Sequence, residues 1–250
     1  MPWFSEQLSQ KTTSEAIDIA NSLSAIGSSV STSRSETNIQ LPLAPRLDLS
    51  DYENLNKLLS KGKTSKARLA QGNLWQTYVF WHAKGDERTP FLKRSIEYYE
   101  KAVELTTLDD KEGIESHLKL ARILIEYPAV RDLQRGISIM DKVYEKRKEY
   151  TLAYVAYLQA LILNKQHHRV IELAEEISAN SPNGTAPAVH KIKVKALRSI
   201  IRECRKKGEQ KAAFMASCEI IKSTYSTEND KKIHEKILST MNSLQPIAGQ

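Results

Sequence analysis

The chain has 250 residues, of which 40% are hydrophobic and 27% are charged, and its formal net charge is +7. No apolar run reaches the roughly eighteen residues that a transmembrane helix requires, so the sequence predicts no membrane span. The first residues lack a basic segment followed by an apolar stretch, which argues against a secretory signal. Two cysteines, Cys204 and Cys218, are too few for a disulfide framework, so the expected location is a reducing cytoplasm.

The N-terminal part, residues 1–49, is predicted to be a helix followed by a flexible Ser-rich arm. Apolar residues recur at near-helical spacing over residues 12–27. Several serines and two prolines then interrupt the pattern, as they do in linkers. We expect folded structure to begin near Ser50, a suitable helix N-cap, and the arm to dock on another subunit. Trp3 and Phe4 are its candidate anchors.

Residues 50–244 are predicted to form one domain of successive helices, followed by a disordered tail at 245–250. Helical periodicity dominates this region, and Gly- or Pro-containing turns separate the periodic segments. No segment shows the alternation of apolar and polar residues that is typical of a strand. The predicted spans are 51–60, 64–84, 90–106, 111–126, 131–147, 150–164, 167–180, 187–207, 209–224 and 228–243.

Three of these predicted helices share an internal pattern, a small or apolar residue followed by apolar residues four and seven positions later. In SIEYYEKAVEL these positions are Ser95, Tyr99 and Ala102, and the patterns that begin at Gly136 and Val170 lie 34 residues apart. The pattern resembles the second helix of the tetratricopeptide repeat, in which a small residue lets antiparallel helices approach closely. The resemblance implies an all-α, right-handed solenoid of antiparallel helical hairpins with three to four degenerate repeats. An irregular helical bundle is the alternative.

The resemblance also implies a concave groove lined by the first helix of each hairpin, here residues 67–84, 111–126 and 150–164. Some members of this family hold a C-terminal carboxylate through paired Lys and Asn side chains in that groove. The corresponding positions of the last segment are Val155 and Gln159, which carry no charge. A charged clamp is therefore not supported, and a more apolar or main-chain-directed groove is implied.

The densest aromatic cluster of the sequence lies in the first of these segments. It consists of Trp75, Tyr78, Phe80 and Trp81. Core packing between the first hairpins is the favoured interpretation. Trp75 and Tyr78 share one face at helical spacing, so they are also tentative groove residues.

The sequence shows no pattern that indicates catalysis. It lacks a phosphate-binding loop, a dinucleotide fingerprint, a nucleophile elbow and a His-Glu-x-x-His motif. The adjacent His167 and His168 point about 100° apart on a helix, so we interpret them as a solvated turn and not as metal ligands. Cys204 and Cys218 are interpreted as buried thiols. We therefore predict that the protein is not an enzyme and binds no metal or cofactor.

The segment 187–207 combines an apolar face with a basic one. Residues 188–250 hold thirteen Lys and Arg against six Asp and Glu, so the positive excess lies in this last quarter of the chain. At helical spacing, six cations fall within a sector of about 100°. These residues form the basic stripe: Lys191, Lys195, Arg198, Arg202, Arg205 and Lys206.

Two interpretations of the basic stripe remain open, a solvated surface and a site for an acidic partner. Within the second, a protein segment is favoured over nucleic acid because no aromatic side chains alternate with the cations. An anionic membrane surface is a further option, but the apolar face suits a core. We thus expect a non-enzymatic scaffold or adaptor, a subunit of a larger assembly. Nucleic-acid binding through residues 187–207 is the alternative.

Overall fold

A computed structural model describes residues 11–33, 47–148, 154–180 and 187–244. These residues form eleven α-helices and two short 3-10 turns, without a strand, so the all-α prediction is confirmed. The chain divides into two compact units, unit 1 (Met1–Lys146) and unit 2 (Arg147–Gln250). No helix in the described ranges combines the length and apolarity needed to cross a membrane. Trp3, Phe4 and the predicted tail lie outside the described residues.

The helices agree closely with the predicted spans. Most boundaries fall within three residues of the prediction, because apolar periodicity and turn residues mark them. Unit 1 contains α1 (Thr13–Ser33), α2 (Leu49–Ser60), α3 (Ser65–Trp81), α4 (Arg88–Glu104), α5 (Lys111–Glu126) and α6 (Leu133–Lys146). Unit 2 contains α7 (Tyr154–Leu163), α8 (His167–Ala179), α9 (Pro187–Lys207), α10 (Gln210–Ile221) and α11 (Glu228–Leu244).

Capping boxes fix the starts of several helices. At α2 the N-cap is Asp48, whose carboxylate accepts from the Asp51 amide at 3.1 Å, while Asp51 accepts from the Asp48 amide. The expectation that Ser50 caps this helix is therefore wrong, since Ser50 already lies inside it. Reciprocal bonds of this kind satisfy backbone donors that the first helical turn leaves free.

The N-terminal helix α1 belongs to the core of unit 1. Ala16 and Ala20 are fully buried in a hydrophobic cluster with Tyr52, Leu55 and other side chains of α2 and α3. Their small side chains let α1 lie close to its neighbours. This packing differs from the expectation that folded structure begins near Ser50 and that the helix belongs to a tethered arm.

The α3–α4 pair shows why the repeat-like pattern has a small residue. A Cβ atom at Gly72 would lie 2.4 Å from the Tyr99 ring, so only glycine permits this close approach. The Ser95 hydroxyl donates to the Gly72 carbonyl at 2.8 Å. Ser95, Tyr99 and Ala102 are fully buried in this contact. The residues that carry the pattern thus form a helix–helix interface of unit 1.

The aromatic cluster of α3 is divided between core and surface. Trp75 is only 1% exposed and stacks on Phe91 with ring centroids 5.6 Å apart. The Arg94 guanidinium covers the same indole, 5.0 Å from its centroid. The tentative assignment of Trp75 to a partner groove is therefore corrected, because a buried ring offers no surface to a partner. Tyr78 is half-buried between Trp75 and Phe91.

Unit 2 is held together by a largely aliphatic core. Its cluster includes Val194, Leu197, Ile200, Ile201, Cys204, Ala213, Ala216, Ile220 and Ile237, from α9, α10 and α11. Cys204 is buried as predicted, whereas Cys218 is half-buried. His167 is also buried, at the start of α8, with its Nε2 atom 3.4 Å from a Glu203 carboxylate oxygen. Its interpretation as part of a solvated turn was wrong.

Candidate partner-binding groove

Helix α9 separates its apolar and basic faces as the sequence predicts. Its apolar residues, among them Val189, Ala196 and Leu197, are buried in unit 2. Five cations of the basic stripe are exposed, and Arg198 is half-buried. The stripe is therefore a surface feature, but its six members have different surroundings.

Arg198 is paired with an acid from another helix. Its guanidinium donates to both carboxylate oxygens of Asp230, at 2.9 and 2.7 Å, and to the Tyr225 carbonyl at 3.2 Å. Bidentate pairs of this kind are among the strong hydrogen bonds in proteins, because both partners are charged. Arg198 is therefore not a free cation of the basic stripe, and its partner lies 32 residues further along the chain.

Asp230 has two structural roles, as a cap of α11 and as the partner of Arg198. Its carboxylate accepts from the Thr227 amide and hydroxyl, at 2.8 and 2.7 Å, and so completes the N-terminal capping box of α11. The hydrogen bonds from Arg198, reinforced by those from Thr227, lower the pKa of the Asp230 carboxyl from 3.8 to about 2 although its burial opposes the shift. Arg198 therefore holds the start of α11 beside α9 through a carboxylate that stays ionised.

The other cations in the first half of the stripe line neither of the two cavities described below. The Lys191 ammonium lies 5.6 Å from the centroid of the Tyr225 ring, a cation–π distance. Lys195 is exposed and lines neither of the two cavities described below.

The second half of the stripe faces α11 across an open cavity of about 360 Å³. Arg202, Arg205, Lys206 and Lys236 form no ion pair with any other residue in the described ranges. We call these four the groove cations. The complete lining is Arg202, Arg205, Lys206, Gln210, Lys236, Ile237 and Thr240.

A second cavity of about 390 Å³ adjoins the first and shares Arg202 and Arg205 with it. Its other lining residues are Arg198, Ile201, Ser217, Ile220, Thr227, Asn229, Asp230 and Ile233. Three isoleucines thus give it an apolar floor, and its one acid is neutralised by Arg198. We call the two cavities together the α9–α11 groove.

Electrostatics favour an anionic occupant for this groove. Four cations converge on one concavity, and the single carboxylate of its lining is already paired. Uncompensated charge of one sign in a cleft focuses the field and attracts ligands of opposite charge. Neither cavity has an aromatic side chain among its described lining residues.

The sequence patterns do not identify several residues of the α9–α11 groove. Lys236 lies 34 positions after Arg202, on a helix where it is one of several exposed lysines. Its place beside Arg202 depends on the packing of α11 near α9, which the sequence does not reveal. The capping signal Thr227-x-x-Asp230 predicts a helix start, but it does not reveal the pairing with Arg198.

The other predicted site residues are not gathered into the α9–α11 groove. Val155 is half-buried and Gln159 is exposed on α7, and Tyr78 belongs to unit 1. A groove along the first helices of successive hairpins remains a prediction for these residues. The described ranges contain no group of three or more His, Cys, Asp or Glu side chains placed to hold a metal ion.

Comparison with known proteins adds no family assignment. No protein-family model matches the chain, and no curated protein matches it.

Proposed function

We propose that this protein is a non-enzymatic interaction scaffold that binds an acidic segment of a partner protein in the α9–α11 groove. The proposal includes a right-handed, tetratricopeptide-like solenoid of helical hairpins and a role as a cytoplasmic subunit of a larger assembly. The single observation that carries the binding function is the convergence of the four groove cations without ion-pair partners among the described residues.

The packing within each unit supports the repeat architecture. Helices that follow one another in sequence pack together in unit 1 from α3 to α6 and in unit 2 from α7 to α11. Small residues lie at two of these contacts, Gly72 against Tyr99 and Gly136 against Ile125. Repeat proteins are built from hairpins that contact mainly their sequence neighbours.

Protein is favoured over nucleic acid as the occupant because of the apolar floor. Single strands are bound on aromatic side chains that stack with the bases, and the described groove lining has none. Isoleucine side chains instead suit the aliphatic groups of a peptide. Nucleic-acid binding through α9 remains the second candidate, because phosphates would also neutralise the groove cations.

The proposal is tested by fluorescence anisotropy with a labelled peptide rich in Asp and Glu. The variant is the double charge reversal Arg202→Glu and Lys236→Glu. The matched control is Lys207→Glu with Lys232→Glu, which changes the net charge equally at exposed positions outside the groove lining. We expect the groove variant to lose at least about tenfold in affinity, or about 1.4 kcal/mol, and the control to lose much less.

Two results would contradict the proposal. One is failure of the wild-type chain to bind any acidic peptide, and the other is equal weakening by the groove and control variants. Tight binding of single-stranded RNA, with a steep dependence on salt and loss in the groove variant, would favour the nucleic-acid candidate instead.

A further inference from the structure

We infer that the α9–α11 groove recognises a mixed segment, with one apolar side chain at one end and a run of acidic side chains at the other. This inference rests on the proposed function and specifies the partner segment that the groove takes. It follows from the different linings of the two cavities, since the isoleucines Ile201, Ile220 and Ile233 line one cavity whereas Lys206 and Lys236 line the other.

The end of the groove near Thr227 is less basic and more apolar than the other end, although Arg202 and Arg205 line both cavities. Ile201, Ile220 and Ile233 line this cavity, and the half-buried Ile233 offers most of its apolar surface because the other two are buried. The charge of Arg198 is cancelled by Asp230 through two short hydrogen bonds. Because an apolar side chain gains by leaving water for such a surface, this cavity suits an aliphatic anchor.

The end of the groove near Thr240 is strongly basic. Arg205, Lys206 and Lys236 line it together with Gln210 and Thr240, and no acid belongs to this lining. The cations come from two helices, so an occupant between the helices meets them on both sides. Carboxylates placed here would form ion pairs that the free protein lacks among its described residues.

The Thr227 end and the Thr240 end of the groove lie one after the other along α9 and α11, which run in parallel. Arg198 pairs with Asp230 at one end, and Arg205 and Lys206 share a cavity with Lys236 and Thr240 at the other. Residue numbers therefore rise in the same direction along α9 and α11. The step from Arg198 to Arg205 corresponds to about 10 Å of helix rise, which an extended peptide spans with about three residues.

These distances define the expected partner segment. It is short, with a Leu, Ile or Val side chain and three or more Asp or Glu residues that begin next to it and continue away on one side. A uniformly acidic segment would bring no apolar side chain to the isoleucine side of the Thr227 end, so the gain from covering that surface would be lost. Charge complementarity and the apolar floor together thus commit the groove to a protein segment of mixed character.

The test compares three kinds of labelled peptide, all of equal charge, on the intact protein. The first kind has a leucine at one end of an acidic run and is made in two versions, with the leucine at the N-terminal or at the C-terminal end. The second has serine in place of the leucine, and the third has the leucine in the middle of the run. We expect the first peptide, in one of its directions, to bind about tenfold more tightly than the second, as is typical for the loss of an apolar group from a pocket.

Protein variants then assign the two ends. Ile233→Ser should remove most of the advantage of the leucine peptide, whereas Leu238→Ser, on the same helix but outside the lining, should keep it. Thr240→Glu should weaken all acidic peptides, and the neighbouring Ser239→Glu should have little effect. Circular dichroism of each variant checks that the helical fold is retained. Thr240→Glu tests the basic end of the groove independently of Ile233→Ser.

The outcomes separate this inference from the function on which it rests. If all three peptides bind equally and charge reversal still abolishes binding, the acidic-partner proposal stands and the mixed segment is refuted. If no acidic peptide binds, the proposed function fails and the inference fails with it. Binding of RNA but not of peptides would overturn both.

Discussion

Gly72 and Ser95 bring α3 and α4 of unit 1 into direct contact, whereas the groove cations of unit 2 line an open space between α9 and α11. The first interface is closed and buried, with a glycine, a serine hydroxyl and a tyrosine ring fitted to one another. The second is held at one end by Arg198 and Asp230 and is open along the rest. The comparison separates residues whose packing joins two helices from residues that line an open groove and that we propose bind a partner.

The largest expected effect comes from removing the ring that fills the α3–α4 interface. Tyr99→Ala should lower the free energy of unfolding by about 3–5 kcal/mol, because a fully buried aromatic side chain leaves a cavity. The lost hydroxyl also leaves Asn73 and Gln76, which lie 2.9 and 2.8 Å from it, without a hydrogen-bond partner at that position. Denaturant unfolding of the purified variant measures the change.

The neighbouring Tyr98 provides the control for this measurement. It is half-buried on the same helix, packs against the edge of the unit 1 core cluster, and accepts a hydrogen bond from the Asn56 amide at 3.3 Å. Tyr98→Ala should therefore cost clearly less than Tyr99→Ala. Equal losses for the two variants would mean that the α3–α4 interface does not depend on the Tyr99 ring.

A smaller effect is expected from filling the same interface. Gly72→Ala should gain about 1 kcal/mol of helix propensity but lose about 1–3 kcal/mol through overpacking against Tyr99, whose ring would lie 2.4 Å from the new Cβ atom. We expect a net destabilisation of up to about 2 kcal/mol. A rise in the melting temperature of Gly72→Ala would show that Tyr99 can move aside, contrary to the tight contact.

The Arg198–Asp230 pair, which closes one end of the groove, should make stability depend on pH. The carboxyl pKa is about 2 in the folded protein and 3.8 without its partners. The stabilisation is therefore fully present above about pH 4 and is lost as the pH falls toward 2, where folded and unfolded forms bind the same proton. Its upper limit is about 2 kcal/mol, reduced because the Arg198 side chain is 37% exposed.

Asp230→Asn tests this dependence. The variant should be less stable than the wild type at pH 7 by about 1–2 kcal/mol, and the difference should shrink as the pH is lowered from 4 toward 2. Urea unfolding at a series of pH values provides the measurement. A difference that stays constant over this range would indicate that Asp230 contributes through its cap geometry and not through its charge.

The sequence predicts the positions of the helices better than it predicts the contacts between them. Helix bounds follow from local signals such as apolar periodicity and caps, and SIEYYEKAVEL correctly marks Ser95, Tyr99 and Ala102 as packing residues. By contrast, the neutralisation of Arg198 by Asp230 and the addition of Lys236 to the groove depend on contacts between residues more than 30 positions apart. Likewise, the small side chains of Ala16 and Ala20 do not identify them as core residues in the sequence, so the packing of α1 in the core of unit 1 is not predicted.

The smallest expected effect on stability comes from substitutions in the open α9–α11 groove of unit 2. Arg202→Gln with Lys236→Gln removes two exposed cations that pair with no described acid, so unfolding free energy should change by no more than about 0.5 kcal/mol. Relief of repulsion among the groove cations would act toward a small gain. Binding of the acidic peptide should nevertheless fall, because the same two charges face the groove. Unfolding and anisotropy measured on one preparation test both parts. A large loss of stability would mean that these cations hold the α9–α11 pair together, and the division between a packed unit 1 interface and an open binding groove in unit 2 would then be wrong.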